Sequence, residues 1–179
     1  MNLYIFVTTI KLMKYRLVKL KDLSGNQASI YSIYLIDEKI TLFEKFLIEN
    51  KNIYKSELND IFSRLIAIGH SVGAREQFFK KNEGVPGDGV CALYDKIESK
   101  LRLYCIRYGS LLVILGGGGF KSKDIKAFQD NEKLAQENSI LRQISKEITE
   151  RMITEKEIKF SFDYMDFEGN LEFYDEDYE

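Results

Sequence analysis

The sequence predicts an α+β fold: a central antiparallel β-sheet, laid out as a meander, packed on two N-terminal helices and a long C-terminal helix, with extra β-hairpins at both ends. Three observations carry this. Residues 90–94, 101–108 and 111–115 are short apolar runs, and the last two are separated only by Gly109-Ser110, a spacing that demands a tight hairpin. Leu42, Phe43, Phe46 and Leu47 recur at helical spacing, and Leu58, Ile61, Phe62, Leu65 and Ile66 repeat the pattern. Leu134, Leu141, Ile144, Ile148 and Met152 then mark one narrow stripe on a third helix. At 179 residues, 45% apolar and 13% aromatic, the chain has the composition of one domain with a real core.

Taken in order, residues 1–12 are apolar but too few to span a bilayer, and no small-residue cleavage site follows. They read as a strand or as the product of an upstream start codon, with Met13 as the alternative beginning. Tyr15, Leu17 and Leu20, and then Ile30, Ile33, Tyr34 and Leu35, flank Ser24-Gly25-Asn26, which predicts an N-terminal hairpin over about 13–36. The first helix ends near Asn50. The second starts after Ser56 as N-cap, ends at Gly69 and pairs antiparallel with the first. Residues 74–81 add another turn or two of helix before the glycine-rich loop at 84–89, which holds the only proline.

In the middle run, alternation turns Leu101, Leu103, Cys105 and Arg107 to one face of the sheet and Arg102, Tyr104, Ile106 and Tyr108 to the other. The four glycines at 116–119 read as a flexible corner that lets the following helix, roughly 35 Å long, fold back on the sheet. A phosphate-binding loop fits them poorly, because Lys121 and Ser122 stand where G-x-G-x-x-G needs its last glycine. The alternation of Phe160, Phe162 and Tyr164, a turn at 168–170, and Leu171 and Phe173 predict an acidic C-terminal hairpin over about 158–179.

Charge narrows the function. Lys and Arg total 26 against 28 Asp and Glu, so the chain has no generally basic coat and any polyanion site must be local. Cys91 and Cys105 are too few for a disulfide framework and lack zinc-knuckle spacing, so they read as buried reduced thiols of a cytoplasmic protein. The single histidine, His70, excludes multi-histidine metal sites and reads as a capping or surface residue. No metal, cofactor or membrane span is expected. Around the meander, however, Lys96, Lys100, Arg102, Arg107, Lys121, Lys123 and Lys126 outnumber Asp95, Glu98 and Asp124, with Tyr94, Tyr104 and Tyr108 interleaved as surfaces on which bases could stack. RNA is the ligand this pattern suggests. Arg102, mid-strand between apolar neighbours, is the cation most in need of a functional reason.

Leu-Arg-Leu-Tyr-Cys-Ile-Arg-Tyr-Gly at 101–109, then Leu-Leu-Val-Ile-Leu at 111–115, the glycines, Phe-Lys-Ser-Lys at 120–123 and a long helix resemble the core of the RelE/ParE toxin superfamily, particularly its HigB-like, phage-derived branch. The resemblance runs in order of elements from about Leu42 to Met152. It implies a toxin of a type II toxin-antitoxin pair, a metal-independent endoribonuclease cutting messenger RNA at the ribosome. It also implies a cognate antitoxin, a helix-turn-helix protein, as partner; a homodimer is a further expectation. By this resemblance Arg102 stands at the family's mid-strand arginine and Lys121 and Lys123 match the basic residues after the last strand. Tyr104 completes the candidate catalytic set, and Lys100, Arg107, Tyr108 and Lys126 are the candidate RNA-binding residues.

The chain departs from that family in three ways. Phe128 falls where the family has a late tyrosine, leaving the general base to Tyr104 or Glu98. The chain is about twice the usual length. Its acidic end, whose sign is that of an RNA mimic, is expected either to cover the basic face through Phe167, Leu171 and Phe173 or to be a plain solvated hairpin. The alternative function is a non-enzymatic RelE-like binding module or phage accessory protein.

Overall fold

A computed structural model describes residues 13–81, 83–122 and 132–174. Its centre is a sheet in the order β10 (Glu172–Phe173), β1 (Tyr15–Lys19), β2 (Ser29–Leu35), β7 (Leu112–Phe120), β6 (Leu101–Tyr108), β5 (Val90–Leu93) and β4 (Phe79–Lys80), with the two-residue β3 (Ile40–Thr41) alongside β2. The expected N-terminal hairpin forms, with β1 (Tyr15–Lys19) antiparallel to β2 (Ser29–Leu35). β3 (Ile40–Thr41) leads into α1 (Leu42–Asn50), whose start is fixed by a capping box. The Thr41 hydroxyl accepts from the Glu44 N–H at 3.0 Å, and the Thr41 N–H donates to the Glu44 carboxylate at 2.9 Å. α2 (Lys55–Ala67) begins one residue before Ser56, with Tyr54 as N-cap, and runs into a π-type turn at Ile68–Val72.

The turn or two of helix expected over 74–81 shrinks to a single 3₁₀ turn. Gly73 (φ 75°) ends the helical path, and burial of Phe79 pulls the chain through a short 3₁₀ turn (Glu76–Phe78) into β4 (Phe79–Lys80) on the sheet edge. The meander follows as expected: β5 (Val90–Leu93), β6 (Leu101–Tyr108) and β7 (Leu112–Phe120), all antiparallel. One pairing departs from the all-antiparallel expectation. β7 lies parallel to β2, with Ser29 opposite Leu112, because the chain between them crosses over through both helices and four strands.

The glycines at 116–119 are not a corner. They lie inside β7 and are buried, since neither a helix nor a neighbouring strand leaves room for side chains there. A Cβ on Gly117 would sit 2.0 Å from the Glu137 carboxylate, and one on Gly118 would sit 1.9 Å from the Arg102 carbonyl oxygen, beside the register shift between Leu103 and Cys105. Gly118→Ala therefore forces backbone apart. It is expected to cost about 2–4 kcal/mol, read as a lowered urea midpoint.

The sheet has a core on each face. α1 and α2 cover one with Phe43, Phe46, Ile61 and Leu65 against Leu101, Leu103, Cys105 and Val113. α3 (Glu132–Glu150), 19 residues and roughly 28 Å long, covers the other with the expected stripe of Leu134, Leu141, Ile144 and Ile148 against Tyr104, Ile106 and Ile114. Cys91 and Cys105 are buried, free and opposite one another on β5 and β6.

The C-terminal segment is organised differently from the expected hairpin. β8 (Ile158–Phe160) pairs with β9 (Phe167–Gly169), so the turn falls at 161–166, and β10 (Glu172–Phe173) continues onto β1 at the edge of the main sheet. Phe167 and Phe173 anchor it, as expected. Their partners lie at the far end from Arg102: Phe173 stacks on Tyr15 at 4.6 Å and Phe167 packs edge-on against Tyr31 and Tyr108. Asp166 bonds Lys19 at 2.6 Å and Tyr31 at 2.8 Å. Residues 158–174 thus complete the core instead of covering the basic cluster; the acidic residues 175–179 of the expected segment lie outside the described residues. Phe173→Ala is expected to cost about 3–5 kcal/mol, seen as a drop in Tm.

Candidate functional site

Four strand ends meet beside the start of β6. Lys80 ends β4, Asp95 follows β5, Arg102 is the second residue of β6, and Lys121 comes directly after β7. Glu83 reaches the group from the loop after β4. The backbone here is pinned from both faces. In the first turn of α2, the Glu57 carboxylate accepts from the Lys100 and Leu101 N–H groups at 2.8–3.0 Å. The Lys121 N–H donates to the Lys100 carbonyl at 2.6 Å, and from α3 the buried Asn138 amide donates to the Glu83 carbonyl at 2.5 Å.

Arg102 Nη1 lies 3.2 Å from Glu83 Oε1 and its Nε lies 3.5 Å from Asp95 Oδ2. Lys121 Nζ is 2.8 Å from the same Asp95 oxygen, and Lys80 pairs with the other one. The Arg102 and Lys121 side chains are only 13% and 15% exposed. Three cations thus face two carboxylates in a largely buried cluster, which leaves one positive charge uncompensated among the described residues.

The two carboxylates differ in proton affinity. Burial pushes the Glu83 carboxyl above the ordinary carboxylate range, and Arg102 offsets this only in part; Glu83 Oε2 has no hydrogen-bond partner among the described residues. Burial acts the same way on Asp95, but hydrogen bonds from Lys121 and Lys80 outweigh it and hold this carboxyl below its ordinary value. Burial opposes the charge on Arg102, and the adjacent Glu83 and Asp95 more than restore it. Burial, reinforced by the Glu83 charge, pushes the Tyr104 phenol well above its ordinary range, so this ring stays neutral and makes a poor base. A pair of carboxyls driven apart in this way can divide the labour of proton transfer and charge fixation.

Of the candidate catalytic residues, Arg102, Lys121 and Tyr104 come together; Lys123 lies outside the described residues, as do Lys126 and Phe128. Arg102 and Lys121 do not present the exposed cationic surface expected of them, because Asp95 and Glu83 draw both into ion pairs. Arg107 is on the other face of the sheet, where its Nε–H donates to the Ala74 carbonyl at 2.7 Å and its guanidinium lies over Phe79. Tyr108 is enclosed by Phe160 and Phe167, and Tyr104 is fully buried, so neither offers a ring to a base. Lys100 adjoins the cluster through its backbone, and Glu98 is exposed in the loop before it. His70 is an exposed residue whose Nε2 lies 3.4 Å from the Asp22 carbonyl.

Glu83 and Lys80 were missed by sequence reasoning. Both come from the stretch expected to be helix and loop, and only the β4–β5 pairing carries them to Arg102. Among the described residues, no three His, Cys, Asp or Glu side chains gather as a metal-binding group, and no helix is long and apolar enough to cross a membrane. No family model, curated protein or solved structure matches the chain.

Proposed function

We propose that the Glu83–Asp95–Arg102–Lys121 cluster is the catalytic centre of a toxin-type endoribonuclease that cleaves messenger RNA at the ribosome without a metal. The observation that carries this reading is the charge pattern of the cluster: three cations on two carboxylates of opposite proton affinity, with one positive charge left over among the described residues. That residual charge matches the single negative charge of a phosphodiester. Glu83 takes the proton of a ribose 2'-hydroxyl, whose oxygen bonds to the adjacent phosphorus as the bond to the 5'-oxygen breaks. Lys121 supplies the proton that the leaving oxygen needs, and Arg102 stabilises the extra negative charge on the pentacoordinate phosphorus. Asp95 stays ionised and holds Arg102, Lys121 and Lys80 in place. The order of elements, two helices followed by a meander with arginine near the start of its middle strand, also supports the resemblance to the RelE/ParE toxins.

One observation favours a second reading, a non-enzymatic binding module or phage accessory protein. Each of the three cations already has a carboxylate partner that an incoming polyanion must displace. Induced expression in bacteria separates the two. Growth arrest relieved by a co-expressed helix-turn-helix antitoxin from the neighbouring gene supports the toxin, whereas harmless expression of folded protein supports the binder.

A further inference from the structure

We infer that Tyr94 is a nucleobase platform beside the Glu83–Asp95–Arg102–Lys121 cluster, onto which one base of the single-stranded substrate is splayed. The inference rests on the ribonuclease reading of the cluster and adds a residue that holds a base of the substrate. Tyr94 follows β5 on the face that carries Lys80, Ala92 and Arg102, and immediately precedes Asp95.

Unlike Tyr104 and Tyr108, Tyr94 presents its ring to solvent, at 52% exposure. Its backbone is fixed nonetheless: the N–H donates to the Phe78 carbonyl at 2.7 Å, and the carbonyl accepts from the Arg64 guanidinium. The Lys80 ammonium sits 5.5 Å from the ring centroid while pairing with Asp95, so one lysine links the ring to the cluster. An exposed, anchored aromatic ring beside a cluster of cations is the arrangement that takes a stacked base and its phosphate together. A duplex keeps its bases paired and its backbone regular, so it cannot offer a phosphate to the cluster and a free base to the ring at once. A single strand can.

The test uses the full-length protein and a short fluorescent 2'-O-methyl oligoribonucleotide, which has no 2'-hydroxyl and cannot be cleaved. Binding is measured by anisotropy for the single strand and for the same strand annealed to its complement. Tyr94→Ala is expected to weaken single-strand binding about ten-fold, the stacking contribution of one base. Tyr94→Phe, which keeps the ring, is expected to bind as the parent does, and the duplex to bind more weakly than the strand. Single-strand binding unchanged in Tyr94→Ala, duplex binding as tight as that of the strand, or no binding of the strand at all overturns the inference; in the last case, capture of a protein partner that Tyr94→Ala disrupts identifies the ring as a protein contact. Because this probe cannot react, Tyr94-dependent binding without cleavage of ordinary RNA leaves the platform standing and removes the catalytic reading. Arg102-dependent cleavage that Tyr94→Ala leaves unchanged does the reverse.

Discussion

Arg102→Ala is expected to lower RNA cleavage by about 10²–10³-fold, the loss typical of one donor that stabilises transition-state charge. It is also expected to weaken the fold. The guanidinium is largely buried between Glu83 and Asp95, and removing it leaves two carboxylates near each other with less compensation. Removing one partner of a buried ion pair costs about 3–5 kcal/mol, and the residual exposure here points to the lower figure. A second variant separates the two effects. In Arg102→Gln combined with Glu83→Gln, the buried charges leave together, so much of the stability returns while cleavage does not. Denaturant midpoints and cleavage rates of parent, single and double variants check this; cleavage restored along with stability would show that Arg102 acts on the fold alone.

Glu83→Gln is expected to cost about 10²–10⁴-fold in cleavage, the contribution of a positioned general base. The pH profile carries the signature. Because burial raises the Glu83 proton affinity, parent cleavage is expected to rise with pH through a value above the ordinary glutamate range, and Glu83→Gln is expected to lack that limb. The same group acts on stability with the opposite sign. A carboxyl whose folded value is raised contributes stability that is fully present below its unfolded value and lost as pH climbs through the folded one. Asp95, with a lowered folded value, contributes stability present above its unfolded value and lost as pH falls through the folded one. Titrating the urea midpoint of parent and Glu83→Gln is therefore expected to show a decline through the raised Glu83 value in the parent only.

Periodicity made much of this fold legible. The stripe on α3, the spacing of α1 and α2 and the Gly109-Ser110 hairpin are local patterns, and each formed where it was expected. Alternation along β6 also separated Arg102 and Tyr104 from Arg107. Features set by distant contacts were not legible. The glycines of β7 resemble a loop because nothing near them in sequence announces the Glu137 side chain and the β6 backbone that crowd them. The parallel β2–β7 pairing depends on how the crossover closes. The cluster itself was half visible: Arg102 stood out as a strand cation without a reason, but Glu83 and Lys80 look like ordinary polar loop and edge residues until β4 pairs with β5. Composition suggested free positive charge around the meander, and two carboxylates from the β5–β4 side of β6 changed it into a paired cluster. The described part of the acidic end, residues 158–174, misled for a related reason. Its charge suggested a cover for the cations, while Phe167 and Phe173 took it to Tyr15, Tyr31 and Tyr108 instead.

The chemistry of the cut ends tests the central claim most directly. Purified protein is incubated with messenger RNA in excess EDTA, alone and on programmed ribosomes, and the termini are identified by mass spectrometry alongside Glu83→Gln and Arg102→Ala. Attack by the neighbouring 2'-hydroxyl, with Glu83 and Lys121 moving the protons, predicts fragments ending in 2',3'-cyclic phosphate and beginning with 5'-hydroxyl, formed by the parent and strongly reduced in both variants. Fragments bearing 5'-phosphate, cleavage that EDTA abolishes, or parent-level cutting by both variants would contradict the assignment of this cluster.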